Sequence, residues 1–293
     1  MGAFIKKAEV KKGDPLVAAG FLVAVSGLSK TKVKDAMNKG AVWIKRSKGK
    51  LNRLRTATAS LRPGDQLELY YDPELLAKKP PVARRLADRE QYSIWLKPAG
   101  LLAQGTLYGD HCSLMRQADL FFGLQREIFL VHRLDREAAG LMVLAHSRDA
   151  AAAFSEIFRN NLIIKKYRTE VRGNLFGKAA KGIIELPLDN KPAVTVYEVE
   201  SYNEQTKTSL VSVIIRTGRL HQIRRHFEMI GYPVIGDPRY GSDNKNTTGM
   251  KLEAVSLSFK CPFLQKEVEY TIQNESAVSK QPQQKTMGGG DSL

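Results

Sequence analysis

The chain has 293 residues, of which 43% are hydrophobic and 26% are charged, as in ordinary soluble globular proteins. This length allows two domains. No apolar run approaches the roughly 20 residues of a membrane-spanning helix, and residues 1–12 contain lysines without the apolar core of a secretory signal. We therefore expect a cytoplasmic protein that does not bind membranes. Its two cysteines, Cys112 and Cys261, have neither a metal-ligand spacing nor a disulfide framework.

The net charge of +16 is distributed unevenly along the chain. Residues 1–90 contain 20 Lys and Arg against 9 Asp and Glu, whereas residues 91–293 contain 26 against 21. Such asymmetry is typical of a nucleic-acid-binding module attached to a less basic domain. A charged surface that merely keeps the protein in solution is the alternative. Because the excess charge is clustered in one segment, we expect RNA or DNA as the partner.

The basic N-terminal segment predicts a small domain of two helices and a sheet. Residues 15–28 are apolar and predict a first helix. A second, lysine-rich helix is predicted between Ser29, a suitable N-cap, and Gly40, a suitable C-terminal stop. A short strand is predicted at 41–45. A Pro-Gly-Asp turn and an alternating strand follow within residues 61–70.

The rest of the chain predicts an α+β domain. Paired prolines with flanking charges predict a linker over residues 76–90, after an α/β domain formed by residues 1–75. In residues 91–275, long strand-like stretches without regular crossover helices favour a mixed, largely antiparallel sheet. Residues 276–293 are rich in Gln, Ser, Lys and Gly and predict a disordered tail. The predicted strands are 92–96, 128–131, 141–145, 167–172, 195–202, 209–216 and 252–259, and the predicted helices are 150–160 and 220–229.

The run from Leu130 to Arg136 is the strongest local signal for chemistry. It places an acid, Asp135, between two arginines and between two apolar stretches. Flanking positive charges favour an ionised carboxylate, and the apolar stretches predict buried strands that hold it on rigid backbone. Such a carboxylate in a basic protein indicates chemistry on a polyanion. Taken alone, an acid between arginines is more often a structural ion pair.

Four further segments follow a set order around this run. They read KPAGL from Lys97, KKYR from Lys165 with VRG from Val171, GRLHQIR from Gly218, and PVIGDPRYG from Pro233. Together with HRLD, these motifs resemble the RluA-type family of RNA pseudouridine synthases, which has them in the same order. The N-terminal order of helix, basic helix, strand, turn and strand resembles an S-four-like RNA-binding domain, a common companion of that catalytic domain.

The resemblance implies an isomerase that converts uridine into pseudouridine without a cofactor or a metal. It implies Asp135 as the catalytic carboxylate, Arg224 as its ion-pair partner, and Tyr167 as a ring that stacks on the base and assists proton transfer. Leu252 lies where the family has an apolar pocket residue. Arg133 matches an arginine that contacts RNA around a flipped-out nucleotide.

Two histidines and the basic N-terminal side chains complete the candidate sites. His132 and His221 are either general bases or hydrogen-bonded supports of the site, and we favour supports because the family's reaction does not centre on histidine. Without its context, Tyr167 would be an ordinary half-buried strand aromatic. The S-four-like resemblance implies RNA contacts from Lys30, Lys32, Lys34, Lys39, Lys45 and Arg46.

One departure from the family pattern follows the catalytic motif. Ala138 and Ala139 stand where Thr and Ser are usual, so two hydroxyls near the site are missing. A catalytically decayed RNA-binding factor is therefore an alternative, while a glycoside hydrolase would need a second catalytic carboxylate that no motif supplies. The basic N-terminal segment favours large-subunit ribosomal RNA as the substrate, with transfer RNA as the alternative. We expect a monomer that needs no protein partner.

Overall fold

The computed structural model describes residues 2–47, 49–242, 246 and 248–272. Its N-terminal elements are β1 (Phe4–Glu9), α1 (Ala18–Ser26), α2 (Lys30–Asn38), β2 (Val42–Lys45), β3 (Leu51–Arg53) and β4 (Gln66–Tyr71). The strands form an antiparallel sheet in the order β1-β4-β2-β3. Both helices share one apolar core with this sheet. We call this unit, residues 4–71, the N-terminal module.

Helix α2 begins and ends as its sequence predicts. The side chain of Ser29 accepts a hydrogen bond from the backbone N–H of Lys32, which caps the first turn. Gly40 follows the last turn with φ +78°, a conformation that favours glycine. Val33 and Met37 are fully buried in the core of the module. The lysine-rich face is thereby left on the outside of an amphipathic helix.

The segment that was predicted as a linker, residues 76–90, is partly structured. Helix α3 (Pro73–Ala77) extends into the first two residues of this segment, 76 and 77. Strand β5 (Arg84–Asp88) pairs antiparallel with β6 (Tyr92–Lys97). The linker prediction is therefore wrong for residues 84–88. The reason is that β5 is the edge strand of the second sheet, where charged side chains are tolerated and the usual apolar pattern is weak.

The second domain contains one large mixed sheet. Its further elements are α4 (Leu114–Phe121), β7 (Phe129–Leu130), β8 (Ala139–Ala145), α5 (Arg148–Arg159), β9 (Ile163–Arg172), β10 (Lys181–Ile184), β11 (Thr195–Asn203), β12 (Thr208–Ile215), α6 (Gln222–Met229), β13 (Leu252–Lys260) and β14 (Glu267–Thr271). The strand order is β10-β11-β12-β9-β13-β8-β6-β5, with β14 on β13 and β7 on β8. The pairing of β13 with β8 is parallel, and the other pairings among the described strands are antiparallel. The predicted α+β class with a largely antiparallel sheet is confirmed.

Helix α5 supports the sheet next to the carboxylate motif. Ser147 caps the helix by accepting a hydrogen bond from the backbone N–H of Ala150. Phe154 and Ile157 are buried in an apolar cluster with residues of β6, β8 and β13.

No helix in the described part of the chain has both the length and the apolar character needed to cross a membrane. The predicted tail, 276–293, lies outside the described residues.

A loop of the second domain contacts the N-terminal module. We call residues 104–112 the docking loop. The indole Nε1 of Trp43 donates a hydrogen bond to the carbonyl oxygen of Leu107 at 2.9 Å. Arg55 forms an ion pair with Asp110, whose side chain is 14% exposed. These directional contacts hold the module against the second domain in addition to the chain connection.

Candidate active site

Asp135 lies in the loop between β7 and β8, and Lys97 fixes the backbone of that loop. Lys97 is the last residue of β6 and is fully buried. Its Nζ donates hydrogen bonds to the carbonyl oxygens of Leu101, Arg136 and Ala138 at 2.8, 3.3 and 2.6 Å. A buried ammonium that binds carbonyls on both sides of a loop restricts its position. The candidate catalytic carboxylate therefore lies on a firmly held backbone.

Arg224, on helix α6, connects two carboxylates. Its Nη1 donates to Oδ2 of Asp135 at 2.8 Å, while Nε and Nη2 donate to the two carboxylate oxygens of Asp237 at 2.7 and 2.8 Å. Arg224 is 2% exposed and Asp237 is fully buried. Although burial opposes the charge, hydrogen bonds to both acids raise the pKa of Arg224. The structure thus brings Asp135 and Arg224 together, as the sequence predicts.

Asp237 is a site residue that sequence reasoning missed. Besides Arg224, it binds the backbone N–H groups of Arg239 and Tyr240 at 2.8 and 3.0 Å through Oδ1. Burial opposes its ionisation, but these donors together lower the pKa of Asp237. The acid stands within the PVIGDPRYG motif, so the sequence contained a signal. Its pairing with an arginine on a helix depends on how the loop folds back.

The first turn of α6 is fixed by a buried amide. The helix begins after His221, whose backbone adopts a left-handed conformation with φ 52° and ψ 32°. The Oγ1 of Thr217 donates a hydrogen bond to Oε1 of Gln222 at 2.7 Å, and Gln222 is 3% exposed. This contact ties the loop before the helix to its first turn. From that turn, Arg224 reaches Asp135.

Tyr167 and Leu252 line the same cavity as Asp135. They belong to the neighbouring strands β9 and β13, in which Tyr167 is the register partner of Ala254. Their exposed fractions are 9% and 6%. Burial, reinforced by the carboxylate of Asp135, raises the pKa of Tyr167, so its hydroxyl stays protonated. An aromatic ring with a protonated hydroxyl therefore shares the cavity with the carboxylate.

The two histidines have different surroundings. The backbone N–H of Val143 donates a hydrogen bond to Nε2 of His132 at 2.9 Å, and burial lowers the pKa of His132 to about 3. Nδ1 of His221 lies 3.0 Å from the hydroxyl of Tyr240, and Nε2 lies 3.6 Å from Oδ1 of Asp135. Burial also lowers the pKa of His221, against the opposing effect of Asp135. At neutral pH both rings are neutral, and His132 supports the cavity wall.

The cavity around Asp135 has a volume of about 650 Å³ and a basic lining. Arg133, Arg159 and Arg219 line it, and Arg133 is exposed. Lys165 also lines it but is only 7% exposed, and sequence reasoning did not single it out. Its position two residues before Tyr167, on the same face of β9, was the available signal. A paired carboxylate among several cations suits a substrate that is a polyanion with a neutral reacting group.

The two alanines after the carboxylate motif lie in closely packed surroundings. Ala138 is 3% exposed, and its carbonyl oxygen accepts the hydrogen bond from Lys97. Ala139 is the first residue of β8 and is the register partner of Glu253 in the parallel pairing. Backbone contacts that need no hydroxyl thus hold this part of the loop. Small side chains are kept where the motif meets the sheet.

The predicted RNA contacts of the N-terminal module fall into two groups. The exposed ones are Lys30, Lys32, Lys34, Lys45 and Arg46. Lys39 is partly buried, and its Nζ pairs with Asp35 at 2.8 Å and donates to the carbonyl oxygen of Leu76 at 2.7 Å. Its ammonium holds the end of α2 against α3. Arg46, although exposed, also has partners, since it pairs with Asp65 and donates to the carbonyl oxygen of Ser60. The role of Lys39 as an RNA contact, like that of the other five residues, stays a prediction.

Solved structures identify the class of fold to which this site belongs. The structure titled Human RNA Pseudouridylate Synthase Domain Containing 4 matches with a TM-score of 0.52 and 25% identity, over 64% of this chain and 87% of that chain. Human RNA Pseudouridylate Synthase Domain Containing 1 matches with a TM-score of 0.57 and 20% identity, over 66% and 85%, a likeness of fold. The second domain therefore has the fold of a pseudouridylate synthase.

Sequence comparisons then place the chain in a family. The family model described as RNA pseudouridylate synthase matches residues 91–229. The dual-specificity RNA pseudouridine synthase RluA of Vibrio parahaemolyticus is 35% identical over 57% of this chain and 73% of its own length. The tRNA pseudouridine synthase C of Haemophilus ducreyi is 32% identical over 51% of this chain and 70% of its own length. An uncharacterized RNA pseudouridine synthase of Mycoplasma pneumoniae is 29% identical over 88% of this chain and 89% of its length. The chain belongs to the RluA-type RNA pseudouridine synthases, which are isomerases.

Proposed function

We propose that this enzyme isomerises uridines in structured RNA with Asp135 as its essential carboxylate. The observation that carries this proposal is the contact of Asp135 with Arg224, 2.8 Å between Oδ2 and Nη1, in a cavity that also contains Tyr167. The buried guanidinium orients the carboxylate through a charge-assisted hydrogen bond. A nucleophile or base that acts on a sugar needs such a fixed orientation.

The isomerisation breaks the bond from C1′ of the ribose to N1 of the base and forms a bond from C1′ to C5. The proton at C5 is lost and N1 gains one, so no electrons leave or enter the substrate. Asp135 acts on the ribose, either by attacking it or by removing a proton from it. Because Arg224 remains charged throughout, it stabilises the carboxylate before and after this step.

The other candidate residues bind and orient the flipped nucleotide in this proposal. Tyr167 stacks on the base and supports proton transfer with its hydroxyl, while Leu252 supplies an apolar surface beside it. Arg133, exposed at the cavity, binds RNA around the flipped nucleotide. His132 and His221 act as neutral supports, since burial lowers the pKa of each.

We infer that large-subunit ribosomal RNA is the substrate. The basic N-terminal module, with its exposed lysines on α2, suits a folded RNA whose phosphates extend beyond the catalytic cavity. In this proposal residues 1–75 are an S-four-like RNA-binding domain. Transfer RNA is the second candidate, because the relatives from Vibrio and Haemophilus are named as a dual-specificity RNA enzyme and a tRNA enzyme.

Comparative pseudouridine mapping tests both parts of the proposal. Ribosomal and transfer RNA from cells with and without the gene are sequenced for pseudouridine, and the missing site is restored in vitro with purified protein. We expect a large-subunit site to depend on the gene, and Asp135→Asn to lose at least about a thousandfold in rate. A gene-dependent site in transfer RNA alone would refute the ribosomal assignment. Full activity of Asp135→Asn would refute the catalytic one.

A further inference from the structure

Lys165 is a buried lysine in the wall of the catalytic cavity. It precedes Tyr167 by two residues on strand β9, and side chains at this spacing share one face of a strand, with their Cα atoms about 7 Å apart. Lys165 is 7% exposed, whereas the side chain of its neighbour Lys166 is 45% exposed. Both Lys165 and Tyr167 line the cavity around Asp135. The strand thus presents a cation and the aromatic ring to the same space.

The ammonium of Lys165 has no acidic or carbonyl partner among residues 2–47, 49–242, 246 and 248–272. Its neighbours are the ring of Phe158, 5.9 Å from Nζ to the centroid, and the backbone of Gly218, where an added Cβ would lie 3.9 Å from Nζ. Burial lowers the pKa of Lys165, and no neighbouring carboxylate counteracts it. The ammonium therefore lies in the wall of the cavity, where burial gives it less contact with water than an exposed lysine has.

The other buried cations of this domain are fully engaged. Lys97 donates to several carbonyl oxygens, and Arg224 binds two carboxylates. A buried charge without a counter-ion costs stability, so an unpaired one is best explained by an acceptor that a ligand supplies. In RNA the anionic group is the phosphate, because the uracil base is neutral before the reaction.

We propose that Lys165 binds a backbone phosphate next to the flipped uridine, so that the cavity holds the target nucleotide by its phosphate as well as by its base. The inference deepens the proposed function and rests on it. Arg159 and Arg219, which line the same cavity, extend this positive surface toward solvent. Lys165 is then a substrate-binding residue whose contact exists before and after the isomerisation. Its loss affects binding more than the chemical step.

Synthetic RNA stem-loops test this proposal. Their sequence is that of the stem-loop that contains the mapped uridine, whether ribosomal or transfer RNA. A wrong choice of RNA class therefore changes the oligonucleotide and not the test. In one stem-loop the phosphate on the 5′ side of the uridine is replaced by an uncharged methylphosphonate, and in another the phosphate on the 3′ side. Wild type, Lys165→Met and Lys166→Met are compared by Kd and by steady-state kinetics.

We expect Lys165→Met to raise Kd and KM about tenfold to hundredfold, as for the loss of a charge-assisted hydrogen bond, with kcat within about threefold of wild type. Lys166→Met, whose side chain is half-exposed on the same strand, should match wild type. One of the two methylphosphonates should weaken wild type by a similar factor and leave Lys165→Met unchanged. The slope of log Kd against log salt should fall by about 0.7 in the variant.

Three results would overturn the proposal. Wild type could tolerate both methylphosphonates, a measurement that does not depend on the folding of any variant. Alternatively, the charge-neutral linkages could weaken wild type and Lys165→Met equally. A fall in kcat with unchanged Kd would assign Lys165 to the leaving base instead. If wild type formed no pseudouridine at all, the proposed function would be refuted. If wild type bound and modified the RNA but its Kd did not depend on either replaced phosphate, this inference alone would be refuted.

Discussion

The guanidinium of Arg224 is shared between two acids, and Asp237 holds it from the side remote from the cavity. Asp237→Asn keeps the size of the side chain but removes the charge that faces Nε and Nη2. Because Asp237 is not among the residues that line the cavity, we expect its loss to act through Arg224. Turnover should fall about tenfold to hundredfold, with a smaller change in RNA affinity. Steady-state kinetics separates kcat from KM.

Asp189→Asn is the matched control for this substitution. Asp189 also pairs with an arginine of α6, Arg225, but its side chain is 67% exposed. An exposed pair contributes little, so Asp189→Asn should keep both kcat and KM. If Asp237→Asn retained wild-type turnover, or if both variants lost the same amount, the positioning role of Asp237 would be contradicted.

His132 gives the stability of the domain a dependence on pH. Its pKa in the folded protein is about 3, below the 6.5 of an unperturbed histidine, so the unfolded chain binds the proton more readily. Stability is therefore complete above pH 6.5 and is lost as the pH falls toward 3. Between pH 7 and pH 5 this group alone should reduce the free energy of unfolding by about 2 kcal/mol.

Urea denaturation of wild type and His132→Gln at these two pH values measures this contribution. Gln keeps an acceptor for the backbone N–H of Val143 but does not titrate in this range. The variant should lose about 2 kcal/mol less than wild type on acidification. Equal losses would show that His132 is not held neutral by burial.

The secondary-structure elements differ in how much local sequence determines them. Helix α2 was predicted from its serine N-cap and its apolar residues at helical spacing. Helix α5 was predicted as residues 150–160, two residues short of its start at Arg148, because the cap at Ser147 was not used. The strands β1 and β10 were not predicted from the sequence, because their segments, FIKKAE and KGII, are short and contain charged residues. They become strands by pairing with β4 and β11.

The site shows the same division between local pattern and tertiary context. The contact of Asp135 with Arg224, 89 residues apart, was predictable from the resemblance to a family. The partner of Asp237 was not, because it depends on a loop returning to a helix. The burial of Lys165 was not predictable from the sequence either. Lys165 and Lys166 are adjacent and identical in type, and only the alternation of side chains along β9 determines which of them faces the cavity.

Gly140 lets β8 approach β13 where their parallel pairing begins. Its φ is +123°, and an added Cβ would lie 2.3 Å from the backbone nitrogen of Ala254. Gly140→Ala therefore combines a strained backbone with overlap against another backbone, and neither strand can yield locally. We expect a loss of about 3 kcal/mol or more in the free energy of unfolding, measured by urea denaturation.

Gly177→Ala is the control for Gly140→Ala. An added Cβ at Gly177 would meet the side chain of Asn174 at 3.4 Å, an ordinary contact with a movable group. Its stability should stay within about 1 kcal/mol of wild type. A similarly small effect at Gly140 would contradict the close approach of the two strands.

At the scale of the whole molecule, the docking loop fixes the position of the N-terminal module relative to the catalytic cavity. Two basic surfaces, the outer face of α2 and the lining of the cavity, belong to different domains. Because Trp43 and Arg55 contact the docking loop, the two surfaces lie at a fixed spacing, and an RNA that binds both, as we propose, would meet them at that spacing. The module is then already ordered in the free protein, so that binding does not lose the conformational entropy of ordering it, and the affinity is higher.

Arg55→Ala tests this coupling. The side chain of Asp110 is 14% exposed, and removing Arg55 leaves its carboxylate with Arg53, whose Nε lies 3.4 Å from Oδ2 of Asp110. The loss of a partly buried partner should cost about 2 kcal/mol of docking free energy, or roughly a thirtyfold rise in the undocked fraction. Trypsin cleavage after the exposed Lys78, between the two domains, should accelerate accordingly.

Lys50→Ala removes an exposed charge of the same module and should leave the rate of this cleavage unchanged. Because the two domains have separate apolar cores, faster cleavage in Arg55→Ala should occur without global unfolding, which circular dichroism monitors in parallel. RNA affinity should fall together with docking, since the module then has to be ordered on binding. An unchanged cleavage rate in Arg55→Ala, with wild-type RNA affinity, would show that the docking loop does not determine how the two surfaces are arranged.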